Sequence, residues 1–395
     1  MDPQINNELI DALVNRVMAI EDITLGSEKT PYLLRYRGRL RQDSETSYDQ
    51  LAGWLKTYNL TPLFRWDEDR HVVLIIPGMP KPKPSNPMIN LIMAILTILS
   101  VLFVGGTFNS QNVLPSDPFQ AFLAIISNGW PFAVSLMAIL GCHEFGHYLV
   151  GRHHGVHVTL PYFIPMPFSS IGTMGAFINM KEPPKNRKVL LDIGIAGPLA
   201  GLVVAIPVLL IGLSLSQVTR LQVEPGQMIQ MEGNSVLYLL SKFAVFGQLL
   251  PSPATYAGVN PIIYWLRYFF SGTPLPLGGL DVNLSQVAWA GWIGLLVTAM
   301  NLIPAGQLDG GHVLYVLFGQ KKARSLLPIV LGALILLGIF WMGWWLWAAL
   351  IFLLGRSYAE PLDQITPLDS RRKTLAIIGL IVFLLTFSPV PFTIL

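Results

Sequence analysis

From Pro87 onward the chain is a succession of long uncharged runs broken by short loops, and this pattern admits few folds. A run of about twenty apolar residues, coiled at about 1.5 Å per residue, crosses the ~30 Å of hydrocarbon in a bilayer. Inside that layer every backbone N–H and C=O must find a partner within the protein, which selects helices. Seven runs reach or approach the required length, at about 88–107, 119–142, 189–213, 285–304, 325–341, 342–356 and 374–394. Trp341, Trp344, Trp345 and Trp347 at the junction of the fifth and sixth suggest an interfacial belt. Only 12% of the 395 residues are charged and 52% are hydrophobic. Soluble domains carry about 25% charged residues, so an ordinary globular enzyme is excluded. The net charge of +3 is too small to argue for a nucleic-acid partner. The expected fold class is mainly α: a polytopic helical membrane protein with about seven spans, preceded by a small soluble α+β domain.

That domain is expected over residues 1–78, where charge is frequent and no span occurs. Residues 2–22 have amphipathic helical spacing, 32–40 alternate like a strand, 49–58 return to helical spacing after a Ser47 cap, and 62–66 and 71–76 resemble two more strands. No basic start followed by an apolar core is present, so a cleavable signal peptide is not expected. Residues 79–87, with Pro80, Lys81, Pro82, Lys83 and Pro84, form a stiff linker. A transmembrane domain of 88–395 follows, with a core at about 119–312 and an external loop at about 214–284. The run 236–250 contains Lys242 and is too short to span well, so it is read as interfacial or re-entrant.

Loop charge orients the spans. Lys81 and Lys83, then Arg152, Lys181, Lys185, Arg187 and Lys188, then Lys321, Lys322 and Arg324, then Arg371, Arg372 and Lys373 all fall on one side when crossings are counted. The positive-inside rule makes that side cytoplasmic or its organellar equivalent, the stroma. The N-terminus would share it, in a plasma or thylakoid membrane.

At that side of the second run stands His143-Glu144-Phe145-Gly146-His147. Each helical residue turns about 100°, so His147 lies about 40° round from His143 and both imidazoles can reach one Zn2+. Glu144 is then placed to take a proton from water at the ion. Ionisable groups at the end of a span are costly and by default functional. Cys142, the only cysteine, points away from His143 and is read as a small buried residue.

A catalytic zinc takes three protein ligands. His153 has the spacing of a third histidine, but the accompanying glycine position holds Val150, and Glu182 sits in a basic loop where a solvated charge is the simpler reading. Asp309 is the stronger choice. Residues 301–311 close the fourth run at a depth similar to His143, and Pro304 with Gly306, Gly310 and Gly311 breaks the helix there. His312 could support Asp309. His153, His154 and His157 are read as interfacial, and His71 as part of the soluble domain. Within 168–180 an uncharged, glycine-bearing stretch suggests a re-entrant strand whose open edge pairs with an extended substrate.

Taken together, His143-Glu144-x-x-His147 on one span and Asn301, Pro304 and Leu308-Asp309-Gly310 on a later one resemble the site-2 protease family of intramembrane zinc metalloproteases. The intervening Gly194-x-x-Gly197-x-x-x-Gly201 is similar to a small-residue helix of that fold, and Gly38-Arg39-Leu40-Arg41 resembles a motif of its cyanobacterial and chloroplast branch. The resemblance implies that His143, His147 and Asp309 bind one Zn2+, that Glu144 is the general base and later the proton donor, and that Asn301 holds the substrate backbone. The partners would be the lipid bilayer and transmembrane protein substrates, cut within or near their helices. The spacing from Pro304 to Leu308 is longer than the compact form of the family pattern. The alternative class is a proton- or metal-coupled membrane transporter, which would also use ionisable groups and broken helices at membrane depth.

Overall fold

The computed structural model of the chain describes residues 7–79, 84–107, 115–221, 230–256, 258–355 and 358–394. Lys81 and Lys83 of the linker, the start of the expected 2–22 helix, residues 222–229 of the external loop and Arg356 at the end of the sixth run lie outside the described residues.

The chain opens with helix α1 (Asn7–Val17), which runs directly into strand β1 (Met18–Leu25). The helix expected to reach residue 22 therefore stops at Val17. Its apolar face, Ile10, Leu13, Val14 and Val17, is buried, but from Met18 the chain pairs with β2 (Leu34–Leu40), from Met18 opposite Leu40 to Leu25 opposite Leu34. Tertiary pairing thus overrides a helical period that the sequence continues. Helix α2 (Ser44–Lys56) starts earlier than the Ser47 cap implied. Asp43 is the cap, accepting from the Thr46 N–H at 2.9 Å, and Ser47 is buried a turn inside. Strands β3 (Leu60–Asp67) and β4 (Arg70–Pro77) complete a four-stranded antiparallel sheet in the order β1-β2-β4-β3. Tyr36, Phe64, Val73 and Ile75 of the sheet close with Leu51 and Leu55 over a core that also takes in Ile365 from far along the chain.

Next come α3 (Pro87–Thr107), α4 (Pro118–His153), the hairpin β5 (Tyr162–Met166) and β6 (Gly172–Phe177), and α5 (Arg187–Ser214). These three helices are the ones among the described residues that are long and apolar enough to cross a membrane, where seven spans were expected. Short elements follow: β7 (Gln217–Arg220), β8 (Gln230–Glu232), α6 (Val236–Phe246), α7 (Pro261–Ser271) and β9 (Leu280–Asn283). The last helices are α8 (Gln286–Asn301), α9 (Asp309–Leu337), α10 (Gly343–Leu354) and α11 (Ser370–Thr386), before β10 (Phe392–Ile394).

The remaining four runs fall short for separate reasons. Helix α8 has 16 residues and is buried almost throughout, packed by α4, α5 and α11, so it is apolar all round. Helix α9 is kinked at Gly319, where φ is 81°, and carries Lys321, Lys322 and Arg324. Helices α10 and α11 have 12 and 17 residues. The run to 394 ends early because Pro389 and Pro391 lack an N–H for the helix ladder; residues beyond them form β10, which pairs with β8. The tryptophan cluster divides as well. Trp344 is fully buried with its Nε1–H donated to the Pro389 carbonyl at 2.6 Å, whereas Trp345 is exposed.

Candidate metal centre

Helix α4 is capped by Asp117, which accepts from the Gln120 N–H, and it brings His143, Glu144 and His147 to its buried face. Opposite them, α8 ends at Asn301 and the chain turns through 302–308 before α9 starts at Asp309. Gly306 takes a left-handed φ of 57° in that turn. The α9 N-terminus, with its unsatisfied amides, favours a carboxylate at its first residue.

The three predicted donors meet. His143 Nε2 and His147 Nε2 are 3.3 Å apart, and Asp309 Oδ2 lies 3.5 Å from the first and 3.3 Å from the second. An ion held tetrahedrally at about 2.0–2.1 Å spaces its ligand atoms by about 3.3–3.4 Å, so these separations suit one such ion. Imidazole nitrogens with a carboxylate oxygen are also a donor set that zinc accepts. His147 is oriented for the task, since its Nδ1 is 2.7 Å from the Ile193 carbonyl, which can only accept. Nδ1 therefore carries the proton and Nε2 presents a lone pair. Asn301 Nδ2 is 3.2 Å from His143 Nε2.

The wall behind the imidazoles is α5, and glycine is what allows it to approach. A Cβ at Gly197 would collide with the His147 ring, and one at Gly201 or Gly194 would sit 3.1 Å from the Cβ of His143 or His312. The small residues were legible in the sequence as a packing stripe. That they face the His143 and His147 imidazoles was not, because nothing local ties residue 197 to residue 147.

A cavity of about 480 Å³ opens from the cluster, lined by Glu144, Asn301 and His312, by residues 176–178 and by the loop 179–184. Glu144 is 5% exposed at its floor. His312 is buried on the same cavity, and its Nδ1 has no hydrogen-bond partner among the described residues. Strand β6, with Tyr162 opposite Phe177 and Met166 opposite Gly172 across the hairpin, is paired on one side only among the described residues. Ser100 of α3 anchors it by donating to the Gly172 carbonyl at 2.6 Å.

Other candidates fall elsewhere. Glu182 is at the cavity mouth, hydrogen-bonded to His157 at 2.8 Å, and His154 lies 3.0 Å from Asp192. His153 stacks edge-on against His154 and is not in the cluster. The Nδ1 of His71 accepts from the Leu40 N–H. Cys142 is exposed, not buried, because α4 turns that face outward beside Phe145.

Residues 131–342, more than half of the chain, match the peptidase family M50. The chain belongs to peptidase family M50. The matched segment of this M50 chain holds all three donors, Glu144 and Asn301. Among curated relatives, a probable zinc metalloprotease EGY2, chloroplastic, of Arabidopsis thaliana is 29% identical over 399 residues, covering 98% of this chain and 65% of that protein. Its counterpart in Oryza sativa subsp. indica is 27% identical, covering 97% of this chain and 66% of that protein. A probable zinc metalloprotease EGY1, chloroplastic, of Arabidopsis thaliana is 28% identical over 72% of this chain and 47% of its own length. The M50 chain thus spans about two-thirds of the EGY2 proteins' length or less.

Proposed function

We propose that this M50 chain is an intramembrane zinc metalloendopeptidase that hydrolyses peptide bonds within or near the transmembrane helices of membrane proteins. The observation that carries the reading is the triangle of His143, His147 and Asp309 with a buried carboxylate, Glu144, on the same cavity. When bound by those three side chains, Zn2+ supplies Lewis acidity, polarising a carbonyl and making water a nucleophile near neutral pH. Glu144 takes the proton of the attacking water and hands it to the leaving amine. Asn301 holds the substrate backbone. The unpaired edge of β6 receives the unwound substrate segment, whose amides would otherwise be unsatisfied at membrane depth.

The chain crosses the membrane seven times in this proposal, by α3, α4, α5, α8, the distal part of α9, α10 and α11. Supporting it, β10 pairs with β8 in the loop after α5, and this requires an odd number of crossings once the N-terminal unit and the loop after α4 share a side. Arg372, bidentate to Asp192, adds a basic group at the same end. The site would then face the cytoplasm or stroma.

The test is a purified Glu144→Gln protein with a helical membrane substrate. Metal content should equal that of the wild type while cleavage falls by at least about 10²-fold, the share of a positioned proton shuttle, and a zinc chelator should silence the wild type. Undiminished cleavage by Glu144→Gln would refute the assignment.

A further inference from the structure

The mouth of the cavity is formed in part by residues 181–184 and by Ala359 and Glu360. The segment 362–364, just after Glu360, is joined by backbone hydrogen bonds to the N-terminal sheet, and through it the end of the loop 181–185 is joined as well. The Phe64 N–H of edge strand β3 donates to the Leu362 carbonyl at 2.9 Å, and the Gln364 N–H donates back to Phe64 at 3.0 Å. On its other side the same segment donates from Leu362 N–H to the Pro184 carbonyl at 3.0 Å and from Asp363 N–H to Lys185 at 2.8 Å. Asp363 is thereby bridged in parallel to both Phe64 and Asn186. Two further strand-like segments therefore carry the sheet from β3 to the loop that lines the cavity.

The splice is held by side chains that local folding does not require. Asp363 is fully buried; it accepts from Ser44 Oγ of α2 at 3.0 Å, from the Ile365 N–H at 2.8 Å, and from the Thr366 hydroxyl. A buried carboxylate satisfied in this way fixes a single arrangement of the segments around it. Alongside it, Lys188 meets Glu45 at 2.6 Å and Lys185 meets Asp49 at 2.7 Å. Asn186 links the splice to the metal centre. It donates to Glu45 at 3.2 Å while its oxygen caps α5, the helix that backs the imidazoles.

We infer that the N-terminal α/β unit is a wall of the substrate entrance, with Asp363, Glu45 and Asp49 as positioning residues that hold the loop 181–186 and the first turn of α5 in place for substrate binding. This inference rests on the protease reading for its kinetic consequence but not for its structural one. The full chain in detergent is compared in four forms: wild type, Glu45→Lys with Asp49→Lys, Lys185→Glu with Lys188→Glu, and all four substitutions together. Two quantities are read: amide hydrogen exchange over 181–188, and KM and kcat on a synthetic Leu/Ala-rich transmembrane helix carrying a fluorophore and quencher.

Each one-sided reversal should speed exchange over 181–188 by about tenfold and raise KM several-fold, with kcat within about twofold of wild type, and the fourfold swap should restore both. Asp363→Ala should speed the same exchange more strongly. Exchange and KM unmoved by either one-sided reversal overturns the inference, as does a fall in kcat at constant KM, which is what loss of folded enzyme gives. A wild type that exchanges as expected but cleaves nothing overturns the protease reading instead.

Discussion

At His147 two contacts decide what the residue can be. Its Nδ1–H is committed to the Ile193 carbonyl, and its Nε2 is left facing His143 and Asp309 at 3.3 Å from each. Without a cation this is a poor arrangement, since two imidazole lone pairs and a carboxylate converge in a buried pocket. The cluster therefore has most to gain from a metal, and Asp309 most to contribute, because it brings the only formal negative charge in the triangle. Asp309→Ala should lower bound metal from about one equivalent to near zero, measured by elemental analysis after dialysis, while circular dichroism stays helical. Full metal content in that variant would remove Asp309 from the ligand set. The motif at 143–147 was readable because helical spacing is local. The direction in which α4 faces is not local, which is why Cys142 was expected inside and lies outside.

Helix α5 shows how much of the cluster's geometry depends on an element that contributes none of the three donor atoms. Its glycines permit the imidazoles to lie against its backbone, and the three positions differ in severity. A Cβ at Gly197 would overlap the His147 ring, whereas one at Gly201 would press His143 at 3.1 Å, a gap that a small shift relieves. Gly197→Ala should therefore cost metal affinity by ~10-fold or more, in the range seen when groups that orient ligands are disturbed, and Gly201→Ala much less. A metal titration that ranks the two in the opposite order would show that α5 is not the wall described. Element boundaries were the least legible level. Where an end is set by covalent chemistry, as at Pro389 and Pro391, the sequence carried the signal, though the apolar run masked it. Where it is set by a partner strand, as at Met18 opposite Leu40, the sequence carried none. Likewise the burial of α8 makes it apolar on every face, so that composition alone reads it like a lipid-facing span.

Across the whole molecule the two ends are built differently. Helix α8, about 24 Å long at 1.5 Å per residue, joins the metal centre at Asn301 to a second charged cluster near its start. There Lys242 of α6 is fully buried, 3.7 Å from Asp281 and 3.9 Å from Glu232, and lies 4.3 Å above the Tyr238 ring. Tyr238 also donates to Glu232 at 2.7 Å, and Asn234 and Tyr268 close the surround. One cation serves two carboxylates out of water. Burial, opposed only in part by Lys242, holds both Glu232 and Asp281 above the usual carboxylate range. The sign follows from linkage. A carboxyl whose folded pKa exceeds its unfolded value binds its proton more tightly when folded, so stability falls as pH rises between the two values and is level above them. Thermal unfolding in detergent should therefore show a midpoint that drops as pH rises from about 5 to about 7, the value to which Glu232 is pushed up, and Glu232→Gln, which keeps an acceptor for Tyr238 but no charge, should flatten the drop and raise the midpoint at pH 8. An unchanged profile in Glu232→Gln would mean that the pH response arises elsewhere.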